Sequence, residues 1–155
     1  MEADPSCAIA RSLGVLGERW TFLVLREALG GATRFSQFRA ALGVAPDVLT
    51  ARLATLVEHG VLTREPYREA GARTRLEYRI TPAGRELAVV LGALLQWGDA
   101  HLPGPGGPTV RMVERGSTRA LRVGFVDPDG REVSLADARF ERTAAHPAGA
   151  ADVSR

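Results

Sequence analysis

The chain contains no lysine: all twenty of its basic residues are arginine. It has a single cysteine, Cys7, among 155 residues. A lone thiol closes no disulfide within the chain and excludes every multi-cysteine zinc site. Aromatic residues are scarce, at 6%. No apolar run approaches the roughly 18 residues needed to span a bilayer, and the longest, Leu87 to Leu95, falls well short. The start of the chain, Met1 to Cys7, is acidic and has no apolar segment, so no secretory leader is expected there. These absences point to a cytoplasmic protein with no membrane partner. A strong charge of one sign is missing too, because twenty arginines face eighteen acids for a net charge of +2. A nucleic-acid partner would have to be met by a local arrangement of charge. Arginine suits that role, since its planar fork matches phosphates and guanine edges.

What is present is ordinary globular composition, 45% hydrophobic and 25% charged. A chain of this length can bury a core as one domain, or as one domain with an appendage.

Apolar spacing predicts four helices in the first 60 residues. Ile9, Leu13 and Leu16 mark a short one over 7–17. Phe22, Leu25 and Leu29, widened by Trp20 and Val24, mark a second over 18–29, stopped by Gly30-Gly31. Phe35, Phe38 and Leu42 mark a third over 35–42, with Ser36 near its start. After the turn Gly43-Val44-Ala45, Pro46 opens a fourth that ends before Gly60 and turns Leu49, Leu53, Leu56 and Val57 inward. The period then switches to two. Val61 to Tyr67 and Leu76 to Ile80 read as strands around a polar tip, 68–75. Thr81 and Pro82 start a helix that runs to about His101.

Residues 103–108, Pro-Gly-Pro-Gly-Gly-Pro, read as a linker. Beyond it, 109–114, 120–126 and 131–143 are expected as short strands. Val110, Met112, Leu121, Val123, Phe125, Val133, Leu135 and Phe140 should alternate inward along them, and Asp127-Pro128-Asp129-Gly130 should form a tight turn. The expected organisation is a main domain over 1–102, the linker, a small β extension over 109–143 and a disordered tail over 144–155.

Helix, helix, helix, turn, helix, hairpin, helix is the order of a winged helix-turn-helix. The fold class expected is therefore mainly α with a β wing, plus a small C-terminal β-strand extension. In such a fold the third helix lies across the DNA backbone and the fourth enters the major groove, which is about as wide as an α-helix. The hairpin tip can reach the neighbouring minor groove. Charge agrees with this: from Thr33 to Arg79 eight arginines face five acids, a local excess larger than that of the whole chain.

The candidate DNA-binding residues follow from that placement. Arg34, Ser36, Gln37 and Arg39 on the third helix, and Arg68, Arg73 and Arg75 on the wing, face phosphates. On the fourth helix Thr50, Ala51 and Thr55 offer methyls suited to thymine, and Arg52 a phosphate or guanine contact. Asp47 is an acid where phosphates approach; it either accepts from a cytosine amino group or favours the helix dipole.

Several blocks resemble one family. They are Cys7-Ala8-Ile9-Ala10 with Leu16-Gly17-Glu18-Arg19-Trp20-Thr21, Arg34-Phe35-Ser36-Gln37-Phe38, and Val48-Leu49-Thr50-Ala51-Arg52-Leu53. Further on come Leu56 to Leu62, Glu77-Tyr78-Arg79-Ile80-Thr81-Pro82-Ala83-Gly84, and Trp97-Gly98-Asp99. In this order, over about 7–102, they resemble the HxlR-type, MarR-like transcriptional regulators. The resemblance implies a homodimer whose first and last helices form the interface, binding double-stranded DNA at a pseudo-palindromic operator. It does not extend past residue 102.

The resemblance also gives weight to Cys7 as a redox or effector sensor, since its place at the start of the first helix favours thiolate and Arg11 lies one turn on. The opposite reading is a small buried residue at the dimer seam. A small-molecule effector, if there is one, is expected in a cavity near Trp20, Leu91, Leu94 and Trp97. The scattered His59, His101 and His146 with Asp99 make no metal set, the Asp127 turn lacks the spaced acids of a calcium loop, and no cofactor or catalytic motif is present. The expectation is a regulator and not an enzyme. The rival from another class is a winged helix that docks proteins and binds no DNA.

Overall fold

The computed structural model describes residues 6–68 and 73–143. The middle of the hairpin tip, 69–72, and the tail from 144 lie outside the described residues. The elements run α1 (Ala8–Leu16), α2 (Arg19–Leu29), α3 (Phe35–Leu42), α4 (Pro46–Glu58), β1 (Leu62–Tyr67), β2 (Arg75–Ile80), α5 (Pro82–Glu86), α6 (Ala88–His101), β3 (Phe125–Val126), β4 (Glu132–Val133) and a 3₁₀ turn, Leu135–Asp137. They fall into two compact units, one of Glu18–Val123 and one of Met1–Gly17 with Gly124–Arg155.

The larger unit is a winged helix. Its core is Val24, Leu25 and Ala28 of α2, Phe38 of α3, Leu49, Leu53 and Leu56 of α4, with Val44 and Val61 from the turns around them and Leu62 of β1. The spacing 49, 53, 56 is one face of α4, as the sequence pattern requires. Two glycines permit the sharp turns that bracket α4. Gly43 after α3 and Gly60 after α4 have φ of 61° and 68°, in the left-handed region that a side chain disfavours. β1 and β2 pair antiparallel from Leu62↔Ile80 to Tyr67↔Arg75. The segment before α3 joins the hairpin, because the Tyr78 amide donates to the Thr33 carbonyl at 2.7 Å and Arg34 bridges Glu77. The start of α3 is thereby pinned to the wing.

The helix expected over 81–101 is two pieces. The Leu87 amide donates to the Gly84 carbonyl, three residues back, at 3.2 Å, and α6 restarts when the Leu91 amide bonds Leu87 at 3.0 Å. Thr81 makes the expected cap by accepting from the Gly84 amide at 3.0 Å. The segment that follows lies along α6. The Gln96 side chain clamps Val123, donating to its carbonyl at 3.1 Å and accepting from its amide at 3.0 Å. A Cβ at Gly92 would run into the Met112 side chain, so that glycine allows the close approach.

The C-terminal strands are shorter than expected. Over 109–114 and 120–124 only the isolated bridge Val113↔Ala120 forms. β3 and β4 are two residues each, paired as Phe125↔Val133 and Val126↔Glu132. The inward alternation is not realised either: Phe140 is 94% exposed and Leu135 80%, while Val110, Leu121 and Phe125 are exposed and only Met112, Val123 and Val133 are half-buried. With so little chain between the turns, no second layer covers these side chains. The Asp127 turn is as expected. Asp127 Oδ1 accepts from the amides of Asp129 and Arg131 at 3.0 and 2.9 Å, and Oδ2 from Arg131 Nε at 3.2 Å.

Candidate nucleic-acid interface

Burial of three leucines leaves the opposite face of α4 open. Asp47, Thr50, Ala51, Ala54 and Glu58 are exposed, at a spacing that draws one stripe along the helix. Thr55 is half-buried beside it. Both threonine hydroxyls are committed to the helix itself: Thr50 Oγ1 donates to the Pro46 carbonyl at 2.7 Å and Thr55 Oγ1 to the Ala51 carbonyl at 3.0 Å. Asp47 lies in the first turn, where a negative charge suits the helix dipole.

Arg52 stands at the edge of this stripe, its side chain 25% exposed. Its Nη1 is 3.9 Å from the Glu18 carboxylate, a long ion pair, and its Nε is sealed with no partner. Glu18, Arg19, Trp20, Asp47, Val48, Ala51 and Arg52 line an open cleft of about 470 Å³ between the start of α2 and α4.

Around α4 the cations divide into committed and uncommitted ones. Arg34 lies over the Tyr67 ring at 4.7 Å and ties α3 to the wing. Gln37 is an architectural residue: its Oε1 accepts from the amides of Thr33 and Arg34 at 2.9 and 2.8 Å, tying the start of α3 from its third position. Ser36 is exposed in the first turn of α3 and does not cap it. Arg39 on α3 and Arg73 and Arg75 on the wing are exposed, and none makes a side-chain hydrogen bond or ion pair among the described residues; Arg68 is exposed as well. Arg64 on β1, absent from the residues singled out by sequence, is a further exposed cation without a side-chain partner among the described residues. Simple alternation gave no reason to choose it.

Arg79 is the opposite case. Its guanidinium bonds Glu77 Oε1 at 2.6 and 2.9 Å and reaches Glu65 at 3.3 Å. The Glu77 hydrogen bond and then the Glu77 and Glu65 charges hold its pKa above the ordinary value. This arginine is neutralised within the wing and adds little to the field outside.

The residues expected around an effector cavity lie on α2 (Trp20) and α6 (Leu91, Leu94 and Trp97). Trp20 is in the cleft beside α4, with the Arg19 guanidinium 4.9 Å above its ring. Leu91 is half-buried, and Leu94 and Trp97 are exposed at 51% and 57%. A second opening of about 380 Å³ follows another face of α6, at Leu95, Gln96 and Asp99, facing Arg111, Met112 and Leu121. In the smaller unit, Cys7 is exposed and precedes α1 as its N-cap. Arg11 Nη1 donates to the Ser6 carbonyl at 2.8 Å. Among the described residues no helix is long and apolar enough to cross a membrane.

A family model described as HxlR-like helix-turn-helix matches residues 15–104, more than half of the chain. The chain belongs to the HxlR-like helix-turn-helix family. An uncharacterized HTH-type transcriptional regulator of Mycobacterium tuberculosis is 45% identical over 105 residues, covering 68% of this chain and 65% of the relative. The chain thus spans just under two thirds of that mycobacterial relative. Another uncharacterized HTH-type regulator, from Synechocystis, is 39% identical over 102 residues, 65% of this chain and 74% of its own. Among solved structures, PA1607, a candidate transcription factor, superposes with a TM-score of 0.77 at 39% identity, covering 90% of this chain and 97% of its own. The redox regulator HypR in its reduced form superposes at 0.56 with 26% identity, covering 62% of this chain and 94% of its own. The match to PA1607 therefore extends beyond the residues that the family model covers. The larger unit carries the winged helix of this family.

Proposed function

We propose that this HxlR-like regulator binds double-stranded DNA as a cytoplasmic homodimer, reading a pseudo-palindromic operator with α4 and the wing around 68–75. One observation carries the reading: α4 buries Leu49, Leu53 and Leu56 and leaves its other face uncovered, flanked by the exposed arginines of α3 and the wing. Ser36 and Arg39 then meet phosphates from one side, and Arg68, Arg73 and Arg75 from the other. Two such helices about one DNA turn apart require a dimer. Exposed apolar stripes support that partner: Val90, Leu94 and Trp97 on α6, and Ile9 and Leu13 on α1.

The test is selection of bound sequences from random duplexes, followed by affinity against salt. Each phosphate contact contributes about 0.9 to the slope of log affinity against log salt. Arg73→Ala removes one contact per protomer, so a dimer should lose about 1.8 from that slope while keeping its sequence preference. An unchanged slope removes the wing from the interface.

A second reading has one observation in its favour. The α4 stripe carries two acids, Asp47 and Glu58, and no base, which suits a protein-docking surface as well. Association that does not weaken with salt would select it.

Regulation by Cys7 chemistry, or by a small molecule, completes the proposal. HypR, a structural neighbour, is described as a redox regulator, and the Cys7 thiol is accessible. An oxidant should release DNA from the wild type and leave Cys7→Ser bound. Equal release from both assigns regulation away from Cys7.

A further inference from the structure

The exposed stripe of α4 is unusual in what it can offer a base pair. Its side chains are two carboxylates, one threonine and two alanines. The hydroxyl protons of Thr50 and of the adjacent Thr55 are both given to main-chain carbonyls. The stripe therefore presents methyl groups and hydrogen-bond acceptors, and no side-chain donor. Outside α4 the long-side-chain donors near this face are the arginines of α3 and the wing; the chain has no lysine and no asparagine, and its two glutamines are Gln37, which caps α3, and Gln96, which clamps Val123. Arg52, the single arginine of α4, is drawn back toward Glu18 with its Nε sealed.

The major groove answers this chemistry selectively. Guanine shows two acceptors, N7 and O6, and needs a donor to be read. Cytosine shows an amino donor, adenine an amino donor beside N7, and thymine a methyl group. A surface of methyls and acceptors can contact thymine by apolar packing and cytosine or adenine by accepting from their amino groups. It has nothing for a guanine edge.

Resting on the proposed reading of α4 as the groove helix, we infer that this helix specifies its half-site through thymine methyl groups, packed against Ala51, Ala54 and Thr50, together with one cytosine whose amino group donates to Asp47. Affinity is supplied elsewhere, by the arginines of α3 and the wing. Asp47 and Glu58 work against non-specific binding, since they face phosphates wherever the bases beneath give them no amino group.

The experiment uses the full-length protein and the duplex recovered by selection. Thymines at the positions under α4 are replaced one at a time by deoxyuridine, which pairs identically and lacks only the methyl. Each contacted methyl should be worth about a fourfold loss of affinity, with no change in salt slope. Asp47→Asn adds a donor, and selection with it should move one position from cytosine toward adenine, which an amide can grip at N6 and N7. A recovered site that tolerates every deoxyuridine but loses binding with 7-deazaguanine overturns the inference and leaves the DNA-binding function standing. Absence of any salt-sensitive duplex binding overturns the function itself, and this inference with it.

Discussion

Gly84 closes the Thr81-Pro82-Ala83-Gly84 motif, and the structure says why nothing larger fits there. A Cβ built on Gly84 would lie less than 3.0 Å from the Val61 carbonyl oxygen, and 2.8 Å from Ile80 Cγ1. The isoleucine can turn aside; the carbonyl cannot move without loss, because it already accepts from the Thr81 amide at 3.1 Å, and Thr81 Oγ1 lies at the same distance from it. Val61 and Ile80 are also the base of the wing. Gly84→Ala should therefore press α5 away from the hairpin. Overpacking of this kind costs about 1–3 kcal/mol, and alanine's better helix propensity returns up to about 1 kcal/mol. The net loss should be about 1–2 kcal/mol, lowering Tm by about 2–4 °C per kcal/mol in a chain of this size. Displacement of the wing should weaken DNA binding beyond what the stability loss explains. The control is Gly14→Ala in α1, where a Cβ meets nothing within 4 Å. There the same substitution should stabilise by about 0.5–1 kcal/mol. Urea titrations followed by circular dichroism read both variants. If the two substitutions shift stability in the same direction, close packing at Gly84 is not what holds the wing.

The remaining predictions concern the core and the oligomer. Thr21 is fully buried in α2 and its Oγ1 has no hydrogen-bond partner among the described residues. Thr21→Val keeps the shape and removes an unsatisfied hydroxyl whose burial costs about 1–3 kcal/mol, so thermal unfolding should move up by several degrees; a lower Tm would show that the hydroxyl is satisfied. Trp97→Asp places a charge on the exposed α6 stripe without touching the core. Sedimentation should find the wild type dimeric and this variant monomeric, with operator affinity reduced as the two half-sites cease to be held together; a dimeric Trp97→Asp moves the interface elsewhere. Together with the Arg73→Ala salt slope and the Cys7→Ser oxidant response, these measurements separate the DNA surface, the dimer surface and the regulatory thiol.

Much of the winged domain is legible along the chain because its determinants are local. The spacing Leu49, Leu53, Leu56 can only close on one face of a helix. Pro46 can open that helix and Gly43 can turn into it, whatever surrounds them. Alternation in Leu76 to Ile80 fixes a strand just as locally. The residues exposed on α4 follow from the same periodicity, since whatever is not on the leucine face must point away. The C-terminal segment has equally good alternation, but only Phe125–Val126 and Glu132–Val133 pair as strands, because a longer strand needs a neighbour along its length and a layer to cover it.

What periodicity cannot express is which partner a polar side chain chooses. Gln37 reads as a phosphate contact and becomes a cap; Arg79 reads as part of a basic patch and is neutralised by Glu77 and Glu65. Thr50 and Thr55 read as methyl contacts for thymine, and only the fold shows that their hydroxyl protons go to their own helix. These choices depend on distances of about three ångströms between groups brought near one another only when the turns have formed, and a hydrogen bond is decided at that range. The linear order of residues therefore determined the helices, the hairpin and the open face of α4. Tertiary packing alone decided how much of the charge around that face is left to meet a second molecule.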